Sequence, residues 1–186
     1  MSASDLAAFY TWLALPPEDL LAQCTRTPYQ ASGPGGQKRN RVYSALRLEH
    51  SPTGIRAESG AHREAARNRK DALRKLRLAL AIAGSRLVPL PLLRGAGTTP
   101  EDPLDLPEAP DAYPAFRAKV SAEHQDFPAT VLKALVVFRG FGGELRPTAA
   151  RLGVSPSAFG RYLKIDKFVF AEANRIRAAA SLARLS

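Results

Sequence analysis

The stretch ASGPGGQKRNRV, residues 31–42, holds the residue types that suggest chemistry most directly. Gly35 and Gly36 precede Gln37, and glycine permits unusual dihedrals and close approach of the backbone to another molecule. A glutamine amide is a poor general base, so we expect the side chain of Gln37 to orient water and exclude other nucleophiles. Its backbone N–H could donate to an oxyanion that develops in a transition state.

The same stretch has two simpler interpretations. Gly-Pro-Gly-Gly is a good turn, so it could be a surface loop without chemistry. It could also cradle a phosphate, although it matches neither G-x-x-x-x-G-K-[ST] nor G-x-G-x-x-G after a strand. No Ser-His-Asp set or pair of carboxylates stands nearby. With one cysteine and three histidines in the chain, we expect no metal site and no cofactor.

The charge pattern indicates a polyanionic partner. The chain carries 27 Lys and Arg against 17 Asp and Glu, a net charge of +10. Residues 37–86 and 116–186 carry net charges of +9 and +7, and the acidic stretch 95–115 between them carries −5. Cations that replace phosphate counterions bind nucleic acid strongly, so RNA or DNA is favoured over a membrane. The N-terminus lacks signal-peptide features, and a cytoplasmic protein is expected.

Periodicity predicts elements on both sides of the glycine-rich stretch. Residues 4–22 are typical of a helix that Pro16-Pro17 breaks, and Thr25–Gln30 of a short strand. Alternation from Val42 predicts a second strand, the turn SPTG (51–54) follows, and IRAE (55–58) returns as a third. A basic helix is then predicted over Ala61–Ala83, with Gly84 as its C-terminal stop. One face of this helix is an apolar stripe that consists of Leu73, Leu76, Leu80 and Ala83.

The second half of the chain divides into two compositions. Residues 87–114 hold seven prolines and five acids, which is typical of a solvated linker. Beyond it, the stretches 130–143, 145–154, 155–165 and 168–185 predict short helices. One pair is similar to a helix-turn-helix, in which small Ala149 and Ala150 allow close approach, Gly153 makes the turn and Ser155 caps the next helix.

Several spaced features together resemble one family. SGPGGQ (32–37), then Asn40, the turn HSPTGI (50–55) and the pair Asn68-Arg69 resemble the catalytic domain of class I peptide chain release factors and of the related ribosome-rescue hydrolases. Within it, Gly35-Gly36-Gln37 matches the GGQ motif. The chain departs from the pattern at residues 63–65, where Arg-Glu-Ala replaces a frequent Arg-Ser-Gln.

Together, the predicted elements and compositions give an α+β fold with four parts: an N-terminal helical segment (1–23), a GGQ-type domain of a short antiparallel sheet on one long basic helix (24–86), an acidic Pro-rich linker (87–114) and an all-α region (115–186). The resemblance implies hydrolysis of peptidyl-tRNA, with Gly35, Gly36 and Gln37 as catalytic residues. The implied RNA contacts are Lys38, Arg39, Asn40, Arg41, Arg67, Arg69, Lys70 and Arg74.

Stop-codon-dependent members of that family are about twice as long, so the resemblance implies codon-independent release on stalled ribosomes. The expected partners are large-subunit rRNA, peptidyl-tRNA and a methyltransferase that modifies Gln37, and we expect a monomer with no membrane contact. The hypothesised docking surface comprises Arg161, Lys164, Lys167, Arg175 and Arg177. Two alternatives stay open: a non-catalytic RNA-binding adaptor and a helix-turn-helix DNA-binding protein.

Overall fold

The computed structural model describes residues 3–29, 44–88, 90 and 116–186. By contacts the chain divides into two compact units, Trp12–Leu80 (unit 2) and Met1–Thr11 with Ala81–Ser186 (unit 1). The elements, in chain order, are α1 (Ala3–Ala14), α2 (Pro17–Ala22), β1 (Cys24–Tyr29), β2 (Ala45–His50), β3 (Ile55–Ser59), α3 (Ala65–Ser85), α4 (Phe127–Gly140), α5 (Leu145–Arg151), α6 (Pro156–Leu163) and α7 (Lys167–Ala179). The predicted α+β class is confirmed.

The first two helices are separated where the sequence predicts. Pro16 has an extended ψ of 153°, and Pro17 occupies the first turn of α2, where its missing N–H leaves no hydrogen bond unmade. An arginine of α3 completes the end of α1, since Arg77 Nη2 donates to the carbonyl of Leu15. A cation at this end also interacts favourably with the helix dipole.

The three strands form one antiparallel sheet in the order β1-β2-β3. The turn between β2 and β3 is closed by the carbonyl of His50, which accepts from the N–H groups of Thr53 and Gly54 at 3.1 and 2.8 Å. Gly54 has a φ of +66°, a conformation that glycine adopts without a steric penalty. The predicted hairpin is therefore confirmed.

Helix α3 begins four residues later and ends two residues later than predicted. Residues 61–64 precede the helix, and Gly84 lies within it instead of ending it. A Cβ added at Gly84 would lie 2.8–3.0 Å from three atoms of the Phe9 side chain. Gly84 was therefore predicted wrongly as a stop signal, because its role is close packing. The stripe of Leu73, Leu76 and Leu80 is buried as expected.

The C-terminal helices pack around α4, in which 11 of 14 residues are buried. Aromatic side chains of α4 and α6 pack against each other. Among them, the buried Tyr162 hydroxyl forms a hydrogen bond with Thr130 Oγ1 at 2.9 Å. Burial raises the pKa of Tyr162 despite this bond. The four predicted helices are confirmed, except that α7 ends at Ala179 and the chain turns back, with the N–H of Leu185 donating to Asn174 at 2.7 Å.

The turn between α5 and α6 agrees with its prediction except at one alanine. Gly153 has a φ of +70°, and Ser155 Oγ accepts from the N–H of Ala158 at 3.2 Å. Ala149 is fully buried, whereas Ala150 is exposed and makes no close helix approach. Within the described ranges, no helix has the length and apolar character that crossing a bilayer requires.

The packing of Gly84 can be tested against a second helical glycine. Gly84→Ala should lower the free energy of unfolding by about 1–2 kcal/mol, because the clash with the base of the Phe9 ring outweighs the gain in helix propensity. Gly160→Ala is the control, since a Cβ there meets nothing within 4 Å. It should be neutral or stabilise by up to ~1 kcal/mol. Equal shifts of Tm in thermal unfolding would contradict the packing role of Gly84.

Candidate active site

The glycine-rich stretch with Gly35, Gly36, Gln37, Lys38, Arg39, Asn40 and Arg41 lies outside the described residues. The structure does describe the two strands that flank it. Tyr29 at the end of β1 pairs with Ala45 at the start of β2. The chain therefore leaves the sheet and returns to it at neighbouring positions, and both ends of the intervening segment are held by the same ladder.

The exposed face of the sheet carries a polar network near this point. Arg47 donates from Nε and Nη2 to Glu58 Oε2 at 3.0 and 2.9 Å, which joins β2 to β3. The same guanidinium lies 5.5 Å from the ring centroid of Tyr29 on β1. One arginine thus links all three strands next to the base of the glycine-rich stretch.

A buried amide fixes the position where the chain re-enters the sheet. Asn68 of α3 is fully buried, and its Nδ2 donates to the carbonyls of Ser44 and His62 at 2.7 and 2.8 Å. Its Oδ1 accepts from the N–H of His62 at 2.9 Å. Ser44 immediately precedes β2, so this one side chain ties α3 to both the β3–α3 connection and the end of the glycine-rich stretch.

A carboxylate continues the network along α3. The Ser59 hydroxyl lies 3.3 Å from Asn68 Oδ1 and donates to Asp71 Oδ2 at 2.7 Å. Burial by itself raises the pKa of Asp71, but hydrogen bonds from Lys75, Ser59 and Arg74 outweigh it and lower the pKa to about 2. Asp71 is therefore ionised at neutral pH and holds α3 against β3.

Three of the four cations expected to contact RNA on α3 form ion pairs within the chain. Arg67 pairs with Glu64 at 3.0 Å, Arg69 with Glu18 at 2.8 Å, and Arg74 with Asp71 at 3.1 Å. Among the described residues Lys70 has no such partner, and it is exposed. The helix therefore presents less uncompensated charge than its sequence suggests.

The ion pairs differ in how firmly they hold their cations. The Arg67–Glu64 pair has exposed fractions of 68% and 64%, and exposed pairs contribute only about 0–1 kcal/mol. A phosphate could therefore replace Glu64 at little cost. Asp71 is only 19% exposed and binds two cations, so Arg74 is held in the fold. Arg67 and Lys70, three residues apart, share a helix face and are the cations best placed to bind a polyanion.

The turn of the HSPTGI stretch contains a buried histidine. His50 is fully buried, its ring lies edge-on to Trp12 at 4.8 Å, and its Nδ1 and Nε2 lie 2.9 and 3.3 Å from Thr53 Oγ1 and Gln23 Oε1. A neutral ring that donates from Nε2 to Gln23 Oε1 and accepts at Nδ1 from the Thr53 hydroxyl gives both ring nitrogens a hydrogen-bond partner. Burial lowers the pKa of His50. The residue stabilises the turn and has no exposed nitrogen for catalysis.

The sequence alone did not assign the roles of Asn68, Ser59, Asp71 and Glu18. The pair Asn68-Arg69 was noted as a match, but not as the anchor of a loop. A neutral amide between cationic residues on a helix, three residues before an aspartate, was the available signal. Nothing in the described residues brings together three or more His, Cys, Asp or Glu side chains that could hold a metal.

Comparison with known proteins identifies the class of domain. The family model of the RF-1 domain matches residues 13–86. The chain is 47% identical over 64 residues to peptide chain release factor 2 of Lactiplantibacillus plantarum, covering 34% of this chain and 16% of that protein. It is 45% identical over 53 residues to peptide chain release factor 1 of Streptococcus thermophilus, covering 28% and 15%.

A relative of different kind matches a larger share of its own length. An uncharacterised mitochondrial peptide chain release factor-like protein of Saccharomyces cerevisiae is 43% identical over 68 residues, which are 36% of this chain and 43% of that protein. The chain thus spans less than half the length of each of these relatives. No solved structure matches. Residues 13–86 match the RF-1 domain, and the resemblance to the GGQ domain of class I release factors is confirmed for that part of the chain.

Substitution of Asn68 tests the anchor. Asn68→Ala should lower the free energy of unfolding of unit 2 by about 2–3 kcal/mol, because buried groups of Ser44 and His62 lose their partner. Asn68→Asp should cost more, since an oxygen would then face two carbonyl oxygens. Urea unfolding followed by the fluorescence of Trp12, the single tryptophan, reports on this unit.

The neighbouring Arg67→Ala is the matched control and should shift stability by no more than about 0.5 kcal/mol, because Arg67 is exposed. If Asn68→Ala were as mild as Arg67→Ala, the anchoring role would be wrong.

The buried histidine gives a pH dependence of defined sign. Because burial lowers the pKa of His50 below its ordinary 6.5, the unfolded chain takes up this proton first. The free energy of unfolding should therefore have its full value above about pH 6.5 and decrease below it. For one proton it decreases by at most about 1.4 kcal/mol per pH unit. Glutamine cannot titrate, so in His50→Gln the free energy of unfolding, followed by Trp12 fluorescence, should depend less on pH between pH 7 and 5. An unchanged slope would assign the pH dependence to other groups.

Proposed function

We propose that this chain is a ribosome-dependent peptidyl-tRNA hydrolase that releases the nascent peptide through residues 31–42. The observation that carries the proposal is the RF-1 domain at residues 13–86, which contains Gly35-Gly36-Gln37. The described anchors support it: the ladder at Tyr29 and Ala45 and the amide of Asn68 hold the two flanks of this stretch. Held flanks allow a glycine-rich segment to be delivered to an external site.

In this proposal the loop supplies shape and one backbone donor. Ester hydrolysis requires a water at the carbonyl and stabilisation of the oxyanion that forms, and a preorganised N–H can do the second. Gly35 and Gly36 would allow the backbone to approach the ester, and the N–H of Gln37 would donate to the oxyanion. The Gln37 amide would orient water and exclude other nucleophiles, with ribosomal and transfer RNA forming the rest of the site.

The proposed RNA contacts now fall into two groups. Lys38, Arg39, Asn40 and Arg41 would bind phosphates next to the loop. On α3 the contribution would come from Lys70 and Arg67, because Arg74 is held by Asp71 and Arg69 is paired with Glu18. We infer a narrower contact on the helix than the sequence suggests.

We further propose that release is independent of the codon. The RF-1 family model matches residues 13–86, and the helices of residues 116–186 lie outside that range. A helical region with its own basic surface would allow selection of the ribosome by binding. The organisation into segments 1–23, 24–86, 87–114 and 115–186, a cytoplasmic monomer and methylation of Gln37 belong to the same proposal, and intact mass would reveal the methyl group.

Peptide release from purified ribosome complexes tests the proposal. Wild-type protein should release peptide at similar rates from complexes with a stop codon, a sense codon and no codon in the decoding site. Gly36→Ala should lower release about 10²- to 10³-fold, because a Cβ blocks the approach of the donor N–H. Co-sedimentation should show that Gly36→Ala still binds ribosomes.

The outcomes separate the alternatives. Release only at the stop codon would contradict codon independence but keep the enzyme. Ribosome binding without release by wild-type protein would favour the non-catalytic adaptor.

A further inference from the structure

The C-terminal helices carry an excess of positive charge that the RF-1 domain does not explain. Residues 145–186, all described, contain eight cations and two acids. Both acids are used within the fold. Asp166 caps α7 by accepting from the N–H groups of Phe168 and Val169 at 2.8 and 3.4 Å. Glu172 is 3% exposed and binds Arg86 at 3.0 and 2.7 Å.

The same contacts divide the cations that the sequence suggested for docking. Arg177 donates to the carbonyls of Ala183 and Gly143 at 2.6 and 2.7 Å, and Arg175 lies 3.7 Å from Glu172. Arg177 is engaged in the fold, whereas Arg175 is 67% exposed and only weakly paired, because Glu172 is already bound by Arg86. Arg161, Lys164 and Lys167 are exposed and have no acidic partner in the described part of the chain.

The three available cations are close in the chain to two exposed apolar side chains. Phe168 and Ile165 are exposed to 56% and 39%, and they are the large hydrophobic residues exposed in the described ranges. Lys167 Nζ lies 5.0 Å from the centroid of the Phe168 ring. Arg161, Lys164, Ile165, Lys167 and Phe168 lie within eight consecutive residues at the turn from α6 to α7, and we call them the corner surface.

A shallow depression adjoins the corner surface. It has a volume of about 430 Å³, and its wall includes Tyr162, Ile165 and Ala158, with Arg161 and Lys119 as its cations. An apolar wall with cations at its side suits a flat, weakly polar group that carries a negative charge next to it. A nucleotide has this combination.

We propose that the corner surface binds single-stranded RNA, with a base stacked on Phe168 and phosphates on Arg161, Lys164 and Lys167. Stacking on an exposed aromatic ring combined with backbone neutralisation is how single strands are held without sequence preference. Duplex DNA fits less well, because the exposed face of α6 begins with Pro156 and Ser157 and offers Arg161 as its single long base-reading side chain, whereas duplex readout uses several. The choice of RNA over single-stranded DNA rests on the proposed function.

Fluorescence anisotropy of the full chain with a labelled RNA of about 15 nucleotides tests the stacking contact. Phe168→Ala should weaken binding about 5- to 100-fold with the salt slope unchanged, and Phe168→Trp should restore it. RNA should quench the added tryptophan of Phe168→Trp beyond the quenching seen in the wild type, whose single tryptophan is Trp12. A hairpin duplex should bind more weakly than the single strand.

The charge contact has its own matched control. Lys164→Gln with Lys167→Gln should reduce the slope of log affinity against log salt by about 1.4, as expected for two phosphates of a single strand. Arg146→Gln with Arg151→Gln removes the same charge from exposed positions of α5 and should keep the wild-type slope.

Equal slopes for both double variants, or unchanged affinity of Phe168→Ala, would overturn the inference. Loss of ribosome co-sedimentation by Phe168→Ala with unchanged RNA affinity would also overturn it, since that result indicates a protein partner.

These measurements need no ribosome and no hydrolysis, so the two proposals fail separately. Gly36→Ala should bind single-stranded RNA like the wild type. Release without affinity of the corner surface for RNA would overturn only this inference, and affinity without release would overturn only the proposed hydrolase.

Discussion

Unit 2 depends on one buried amide more than on any charged pair. Asn68 sits where a helix, a strand and the connection between them meet, and its hydrogen bonds reach Ser44 and His62. A buried amide with its partners in place fixes both distance and direction, whereas hydrophobic packing alone tolerates sliding. The surrounding leucines supply most of the stabilisation, and Asn68 sets the position at which the chain after the glycine-rich stretch rejoins the sheet.

The charges around this anchor show why a count of cations overstates a binding surface. Burial and hydrogen bonding divide them: Arg74 and Lys75 compensate the half-buried Asp71, while Arg67 remains in an exposed pair that water screens. The C-terminal helices show the same division, since Arg177 donates to the carbonyl of Gly143 and completes the fold, whereas Lys164 and Lys167 have no acidic partner in the described part of the chain. Among the described residues, positive charge available to a partner is therefore concentrated at a few positions of each unit.

The sequence predicted those features that local rules determine. Pro16-Pro17, the hairpin turn at Gly54 and the cap at Ser155 each follow from backbone preferences of a few residues, and the structure contains all three. Gly84 shows the limit. Its sequence context is that of a helix end, but Phe9, 75 positions away in the chain, requires a residue without a Cβ there. Similarly, the spacing of Asn68 and Ser44 could not be known before the fold brought them together.

The two basic regions can serve different purposes because their surroundings differ. In the RF-1 domain the available cations of α3 neighbour Asn68, which fixes the position where the chain rejoins the sheet after Ser44. At the corner surface Lys167 lies against the exposed ring of Phe168, and Arg161 and Lys164 are close in the chain, which suits sequence-tolerant contact. Leaving the Phe168 ring exposed to water costs free energy that burial would have gained. Phe159 and Phe138 of the same unit are buried. The RNA base that we propose would cover the ring of Phe168, which lies outside this core and next to Lys167.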